Sequence, residues 1–318
     1  MKLPGTSGRP RLRAAAVALL PLLALTGCGT GEPDGTAPAG AGAPAAPADD
    51  PVAAVRRVDS AAALLPAGVR ASGTLRIGSS VGAPPSAYYP DGSRKPAGQD
   101  IDIADAVAKV LGVRLERQDA AFETILPALR SGKYDVGTGN FGVTTERLRT
   151  IDFVTYIDDG QGFAVRKGDT SFGKEITELT QLCGRTVGIG AGTTFEATLD
   201  AEKGVCAKAG RKPYDVKVYA ENAATLTALQ QGRIDVIMST INGLRHQAAR
   251  PASRTTFLGE YHRLDVGFAF TKGSPLTKAF QAAVNELIQD GTYARILRKW
   301  GTTASAIDTS RINPPEHP

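Results

Sequence analysis

Residues 128–136 read ALRSGKYDV and residues 228–236 read ALQQGRIDV, so Ala, Leu, Gly, Asp and Val recur at an offset of 100. Lys133 is matched by Arg233, and Leu126 and Leu226 extend the correspondence. Each copy reads as a helix stopped by a glycine, Gly132 or Gly232, followed by a strand opening on Asp135 or Asp235. A single α/β domain also reuses this grammar, but a helix–Gly–strand corner built twice from the same residues points to two lobes of like construction. The length of 318 residues accommodates either one large domain or two ordinary ones.

The rest of the body fits this order. Strands are expected at residues 74–79, near Leu115, and at 134–137, 186–189, 216–219, 234–238 and 266–270. Helical spacing covers 100–111, with apolar residues at 103, 107, 110 and 111, and again Phe122, Ile125, Leu126 and Leu129. Pro127 is compatible with the second helix only near its first turn. Alternating strands and helices are the pattern of an α/β fold. A further short helix is expected within 51–69 (Val58, Ala62, Leu65), closed off by Pro66 and Gly68.

The formal charge of +5 would suit a nucleic-acid or anionic-membrane binder. Its distribution argues otherwise. Residues 1–27 hold Lys2, Arg9, Arg11 and Arg13, four of the 37 Lys and Arg and none of the 32 Asp and Glu, so the remainder carries about +1. Residues 14–25 (AAAVALLPLLAL) are too short to span a bilayer and suit the apolar core of a secretory signal. The run ends in Leu25-Thr26-Gly27-Cys28, which resembles the lipobox of bacterial lipoproteins. Cys28 is then the lipidated first residue of the exported chain; the alternative is a signal peptide cut elsewhere. In residues 29–50, 16 of 22 are Gly, Pro or Ala, which reads as a tether. In an exported chain the two remaining cysteines, Cys183 and Cys206, are expected to pair; the alternatives are two buried thiols or a metal pair. The histidines His246, His262 and His317 stand apart, so no metal site and no cofactor is expected.

Open α/β sheets bind ligands beyond the carboxyl ends of their strands. The loops expected there are Gly139-Asn140-Phe141-Gly142 and Ser239-Thr240-Ile241-Asn242, facing each other if there are two lobes. A third, at 190–196, places Thr193 and Glu196 at capping-box spacing, so a helix start and its free N–H groups point outward. Gly188, Gly190 and Gly192 do not match the dinucleotide fingerprint. Arg147, a few residues past Asn140 and on the expected first turn of the next helix, is placed to clamp a carboxylate through two parallel hydrogen bonds.

GTLRIG (73–78), GQDIDIADAVAKVLG (98–112), FETILPALRSGKYDVGTGNFGVTTERLRTIDFVTY (122–156), CGRTVGIGAGTT (183–194), GRID (232–235) and DGTYARILRKWG (290–301) together resemble the solute-binding proteins of ABC transporters, in the branch that binds polar amino acids. The resemblance implies a two-lobed α/β fold like type II periplasmic binding proteins, each lobe a sheet flanked by helices, with a ligand cleft between. The expected limits are 1–27 for the signal peptide, 28–69 for the lipidated tether and short helix, 70–160 with 266–303 for lobe 1, 161–265 for lobe 2, and 304–318 for a C-terminal tail. It implies that Arg147 pairs with a ligand carboxylate, aided by backbone groups at Asn140 and Gly142 and by Thr193 and Thr194, and that Phe122 stacks on the ligand. The partners implied are a small zwitterionic solute, a permease with its ATPase, and the membrane through the lipid, with no nucleic acid and a monomeric state.

Three positions depart from the family pattern. Thr240 stands where an Asp usually meets the ligand ammonium, Gly82 replaces an aromatic wall, and Gln99 replaces an aromatic in the helix motif. Ser80 stands where relatives for basic amino acids often carry an acid, which speaks against Lys or Arg as ligand. The ammonium is then left to Glu123, or to Tyr88, Tyr89 or Phe141 through cation–π contact. Other readings are a solute sensor, a cyclohexadienyl dehydratase-like enzyme using Glu123, and a serine hydrolase built on Gly78-Ser79-Ser80-Val81-Gly82. A binding protein without catalysis is the expected class.

Overall fold

A computed structural model describes residues 47–317. The expected signal sequence, Cys28 and the expected tether up to residue 46 lie outside the described residues. Eight strands form one mixed sheet: β1 (Thr74–Ser79), β2 (Arg114–Asp119), β3 (Val136–Gly142), β4 (Ile151–Arg166), β5 (Thr186–Gly190), β6 (Asp215–Tyr219), β7 (Val236–Thr240) and β8 (Thr255–Thr271). Their order across the sheet is β2-β1-β3-β8-β4-β7-β5-β6. The helices are α1 (Asp59–Ala62), α2 (Ala67–Ser72), α3 (Gln99–Leu111), α4 (Phe122–Arg130), α5 (Thr194–Ala201), α6 (Val205–Lys208), α7 (Asn222–Gln230), α8 (Ile241–Ala248), α9 (Thr277–Gln289) and α10 (Thr292–Trp300).

The repeat at an offset of 100 is a repeat of structure. β1 pairs in parallel with β2 and β3, and β5 pairs in parallel with β6 and β7. α4 and α7 end at Gly132 and Gly232, whose φ of 74° and 72° is the left-handed conformation that closes a helix. The aspartates that follow do the same work: the Asp135 carboxylate accepts from Arg76 N at 2.8 Å, and that of Asp235 accepts from Thr186 N at 2.8 Å. Each repeated acid therefore anchors the neighbouring first strand of its half.

β4 and β8 join the halves. They pair antiparallel from Ile151 opposite Thr271 to Arg166 opposite Thr255, with register shifts in the middle. The apolar core divides along them. Ile157 and Val266 pack with Leu75, Ile77, Val107, Phe268 and Phe280, whereas Phe163, Val165 and Leu258 pack with Ile176, Leu182, Ile189 and Met238. Between them, residues 158–162 of β4 belong to neither core. We therefore propose lobe limits of 70–160 with 266–303 and 161–265, the divide falling on these crossing segments.

Several local expectations need correction. β4 was not anticipated as a strand and β8 only over its last third, because β4 is buried at nearly every position and shows no period of two. β3 starts at Val136 and continues through Gly142, so the segment expected as a loop is strand, irregular where Asn140 takes φ 56°. Pro66 precedes α2 and Gly68 lies within it, so a second helix starts where one was expected to end. Pro127 sits well inside α4. The C-terminal segment is docked along β4: Ser310 Oγ donates to Thr155 O at 2.6 Å, Ile312 bridges to Val154, and Asn313 N donates to Phe153 O at 3.0 Å. Arg311 adds an ion pair to buried Asp265 at 2.7 Å.

Cys183 and Cys206 form a disulfide across a sequence separation of 23 residues. By chain entropy such a loop contributes roughly 3 kcal/mol. Replacing both cysteines with serine is expected to lower the thermal midpoint by several degrees with ligand binding retained; an unchanged midpoint would show that the link adds nothing.

Candidate ligand-binding site

The carboxyl ends of β1, β3, β5 and β7 and the residues just past them open onto one cavity of ≈ 490 Å³. α4, α5 and α7 begin at its wall, at Phe122, Thr194 and Asn222, and α8 reaches it through its capping residue Thr240. The positive ends of their helix dipoles favour anions at the wall, although side chains already cap part of the first turns of α5 and α8. All seven residues singled out from the sequence, Phe122, Asn140, Gly142, Arg147, Thr193, Thr194 and Thr240, line this cavity.

Arg147 lies in a 3-10 turn (Arg147–Arg149). Its Nη1 donates to Gly142 O at 3.0 Å and its Nη2 to Gly192 O at 3.1 Å, one acceptor from each half of the sheet. The guanidinium stands 5.9 Å from the ring centroids of both Phe122 and Phe141, which stack on each other at 4.6 Å. Among the described residues no carboxylate pairs with it within salt-bridge distance. Burial lowers its pKa to about 10, so it stays charged at neutral pH. A charged, poorly solvated guanidinium with only backbone acceptors is a ready carboxylate partner.

The other residues divide by what their polar groups already hold. The Asn140 N–H donates to Asp100 Oδ2 at 3.0 Å and its side-chain amide to Asp159 Oδ2 at 2.8 Å. The backbone donor expected to help with a ligand is thus committed inward. The Thr193 hydroxyl donates to Gly190 O at 2.8 Å and accepts from Glu196 N, the expected cap of α5, while Glu196 reaches back to Gly192 N at 2.8 Å. Thr240 likewise caps α8, its hydroxyl accepting from Gly243 N at 3.2 Å.

Behind Asn140, Asp100 and Asp159 are both buried, and burial pushes each carboxyl up to about 6. Asp159 also accepts from Asn242 N at 3.1 Å, at the start of α8, so it ties both halves to the crossing segment.

The alternatives for an ammonium are not at the wall. Tyr88 packs edge-on against Trp300 at 6.0 Å, Tyr89 is exposed, and Phe141 lies behind Phe122. Glu123 is not among the lining residues and packs against Gly192. Asp119, Glu221, Asn222 and Ser239 do line the cavity, and sequence reasoning passed over the first three. The signal was available: Asp119 ends β2 and Glu221 follows β6, so the rule applied to the ends of β3 and β7 reaches them too.

Among known proteins, the chain is 29% identical over 253 residues to the arginine-binding protein ArgT of Corynebacterium glutamicum, spanning 79% of this chain and 82% of that one. It is 28% identical over 235 residues to the L-cystine-binding protein TcyJ of Escherichia coli (strain K12), spanning 73% and 84%. The solved structure of an ancestral arginine-binding protein bound to arginine superposes with a TM-score of 0.64 at 34% identity, over 72% of this chain and 98% of that one. With its fold, its cleft and a match to the family profile over residues 75–303, the chain belongs to the bacterial extracellular solute-binding proteins, family 3.

Proposed function

We propose that this protein is the binding component of an ABC importer: a lipoprotein anchored through Cys28 at the outer face of the cytoplasmic membrane. It takes a small carboxylate-bearing solute, an amino acid or a related zwitterion, and hands it to a membrane permease and its ATPase. The single observation that carries this reading is Arg147, charged and without an acidic partner among the described residues, in a cavity walled by four helix N-termini. Relatives named for arginine and cystine support an amino-acid ligand. Open and closed lobes interconvert, and a ligand touching both favours the closed form by its differential contacts. Arg147 and Phe122 contribute from one side, and Thr194 and Thr240 from the other.

Calorimetric titration of the purified protein with the common amino acids and with methylated zwitterions such as glycine betaine tests this. Saturable binding of at least one is expected. Binding of none would overturn the carboxylate assignment.

A further inference from the structure

Residues 304–317 follow the part of the chain that matches the family profile, which ends at 303. They are docked on the body. Asn313 exchanges two hydrogen bonds with the backbone of Phe153, its N–H donating to Phe153 O at 3.0 Å and its Oδ1 accepting from Phe153 N at 2.7 Å. Its Nδ2 donates to Asp152 Oδ1 at 2.8 Å. His317 Nε2 lies 3.0 Å from Oδ2 of buried Asp265, which also pairs with Arg311. Between these anchors stand Pro314, Pro315 and Glu316. The two prolines fix φ and Pro314 is buried, so the backbone leaves Glu316 little choice of position.

That position is beside the turn that carries Arg147. Glu316 Oε2 accepts from Thr145 N at 2.7 Å. The turn opens at Thr144, whose carbonyl accepts from Leu148 N at 2.9 Å and whose hydroxyl accepts from Arg147 N at 3.2 Å. The first N–H groups of such a turn have no partner within it, and here an acid from a distant segment supplies one. Asp265 brings the two pieces together: its carbonyl accepts from Val143 N at 2.7 Å, just before the turn, while its carboxylate holds Arg311 and His317. Glu316 and Arg147 line one groove, which shares Arg147, Thr193 and Thr194 with the ligand cavity. Glu316 is not itself among the residues lining that cavity, so its influence on a bound solute passes through the turn.

We propose that Glu316 is a positioning residue for the ligand site: by capping the turn at Thr145 it sets the direction of the Arg147 fork. This rests on the reading of Arg147 as the carboxylate clamp. A bidentate contact needs both guanidinium nitrogens aligned with both ligand oxygens, so a small rotation of the turn loses it, whereas a point charge would tolerate the same rotation. The segment beyond the family profile is thereby part of the binding machinery.

The test sets Glu316→Ala and Glu316→Gln beside the wild type, with calorimetric titration of the common amino acids and hydrogen exchange of the ligand-free proteins over residues 143–150. Glu316→Ala is expected to weaken every amino acid that binds by about fivefold or more and to speed exchange over the turn, with the melting temperature shifted by no more than a few degrees. Glu316→Gln keeps an acceptor oxygen for Thr145 N and is expected to stay within about twofold of the wild type. Wild-type affinity in the alanine variant, or a glutamine variant as weak as alanine, overturns the proposal and leaves Arg147 as the clamp. Unchanged exchange over the turn in Glu316→Ala overturns it as well. A wild type that binds no amino acid removes the carboxylate reading and this proposal with it.

Discussion

Arg147→Ala is expected to weaken amino-acid binding about 100-fold or more while shifting the melting temperature by no more than a few degrees. The large effect follows from the chemistry of the pair. A bidentate contact between guanidinium and carboxylate consists of two charge-assisted hydrogen bonds, each worth about 1.5–3 kcal/mol, and 100-fold corresponds to about 2.7 kcal/mol. The small effect on folding follows from what Arg147 holds now: two backbone oxygens, Gly142 O and Gly192 O, at the cleft, where water can replace it. Arg147→Lys keeps the charge without the fork and is expected to fall between wild type and alanine. Calorimetry on the three proteins decides; an alanine variant with wild-type affinity would place the clamp elsewhere and sink the carboxylate reading.

What the sequence disclosed and what it hid follow from how each element is buried. α3 and α4 carry one apolar face, so spacing alone located them to within a residue. β1 and β5 were equally clear, short apolar runs bounded by turn residues. β4 was invisible because both of its faces are covered, so neither alternation nor helical spacing marks it. The strand that crosses between the two halves was therefore the one that periodicity could not find. At the site, Arg147, Thr193 and Thr240 were reachable because they follow an expected strand end or fit a capping pattern. Glu221 was missed because an isolated acid at a helix start has an ordinary structural role, as a residue favoured by the helix dipole. Only the position of β6 beside β5 brings it to the cavity that Arg147 also lines.

The corner at Gly132 and Gly232 shows why an internal repeat informs more than a motif. Each copy alone is common grammar, and Asp135 alone is a surface acid. Two copies that both turn an aspartate back to the first strand of their half, at 2.8 Å in each case, identify the unit that is duplicated. The capping Thr193 shows the limit of the same logic. Its spacing correctly placed the start of α5, but the hydroxyl is consumed by that role, which leaves Thr194 the freer of the two to meet a ligand.

The melting temperature of the ligand-free protein is expected to rise as pH is lowered from about 7.5 to about 5, and then to fall below about 4. Asp100 and Asp159 are responsible for the first limb. Burial raises both carboxyls to about 6, and Asp100 adds repulsion at Asp159. In the unfolded chain an Asp titrates near 3.9. Between about 4 and 6 the folded protein therefore holds protons that the unfolded chain has released. Their contribution is fully present below about 4 and is lost as pH rises through about 6, on the order of 3 kcal/mol for each carboxyl. Asp102, also raised by burial, acts in the same direction. His246 opposes them, because burial lowers its pKa and the unfolded chain gains a proton that the folded one refuses as pH falls through 6.5. One histidine set against two fully buried carboxyls leaves the sign with the carboxyls. The second limb belongs to Asp135, Asp152 and Asp169, whose lowered values give stability that is present above about 4 and lost below it. Calorimetric melting from pH 3 to 8 reads both limbs, and Asp159→Asn should flatten the first. A midpoint that holds steady or climbs from pH 5 to 7.5 would mean that both acids ionise freely in the fold. The expected loss near neutrality is local. Asp159 lies on the crossing segment and holds Asn140 from one half and the N–H of Asn242 from the other, so its charge is borne where the two halves meet.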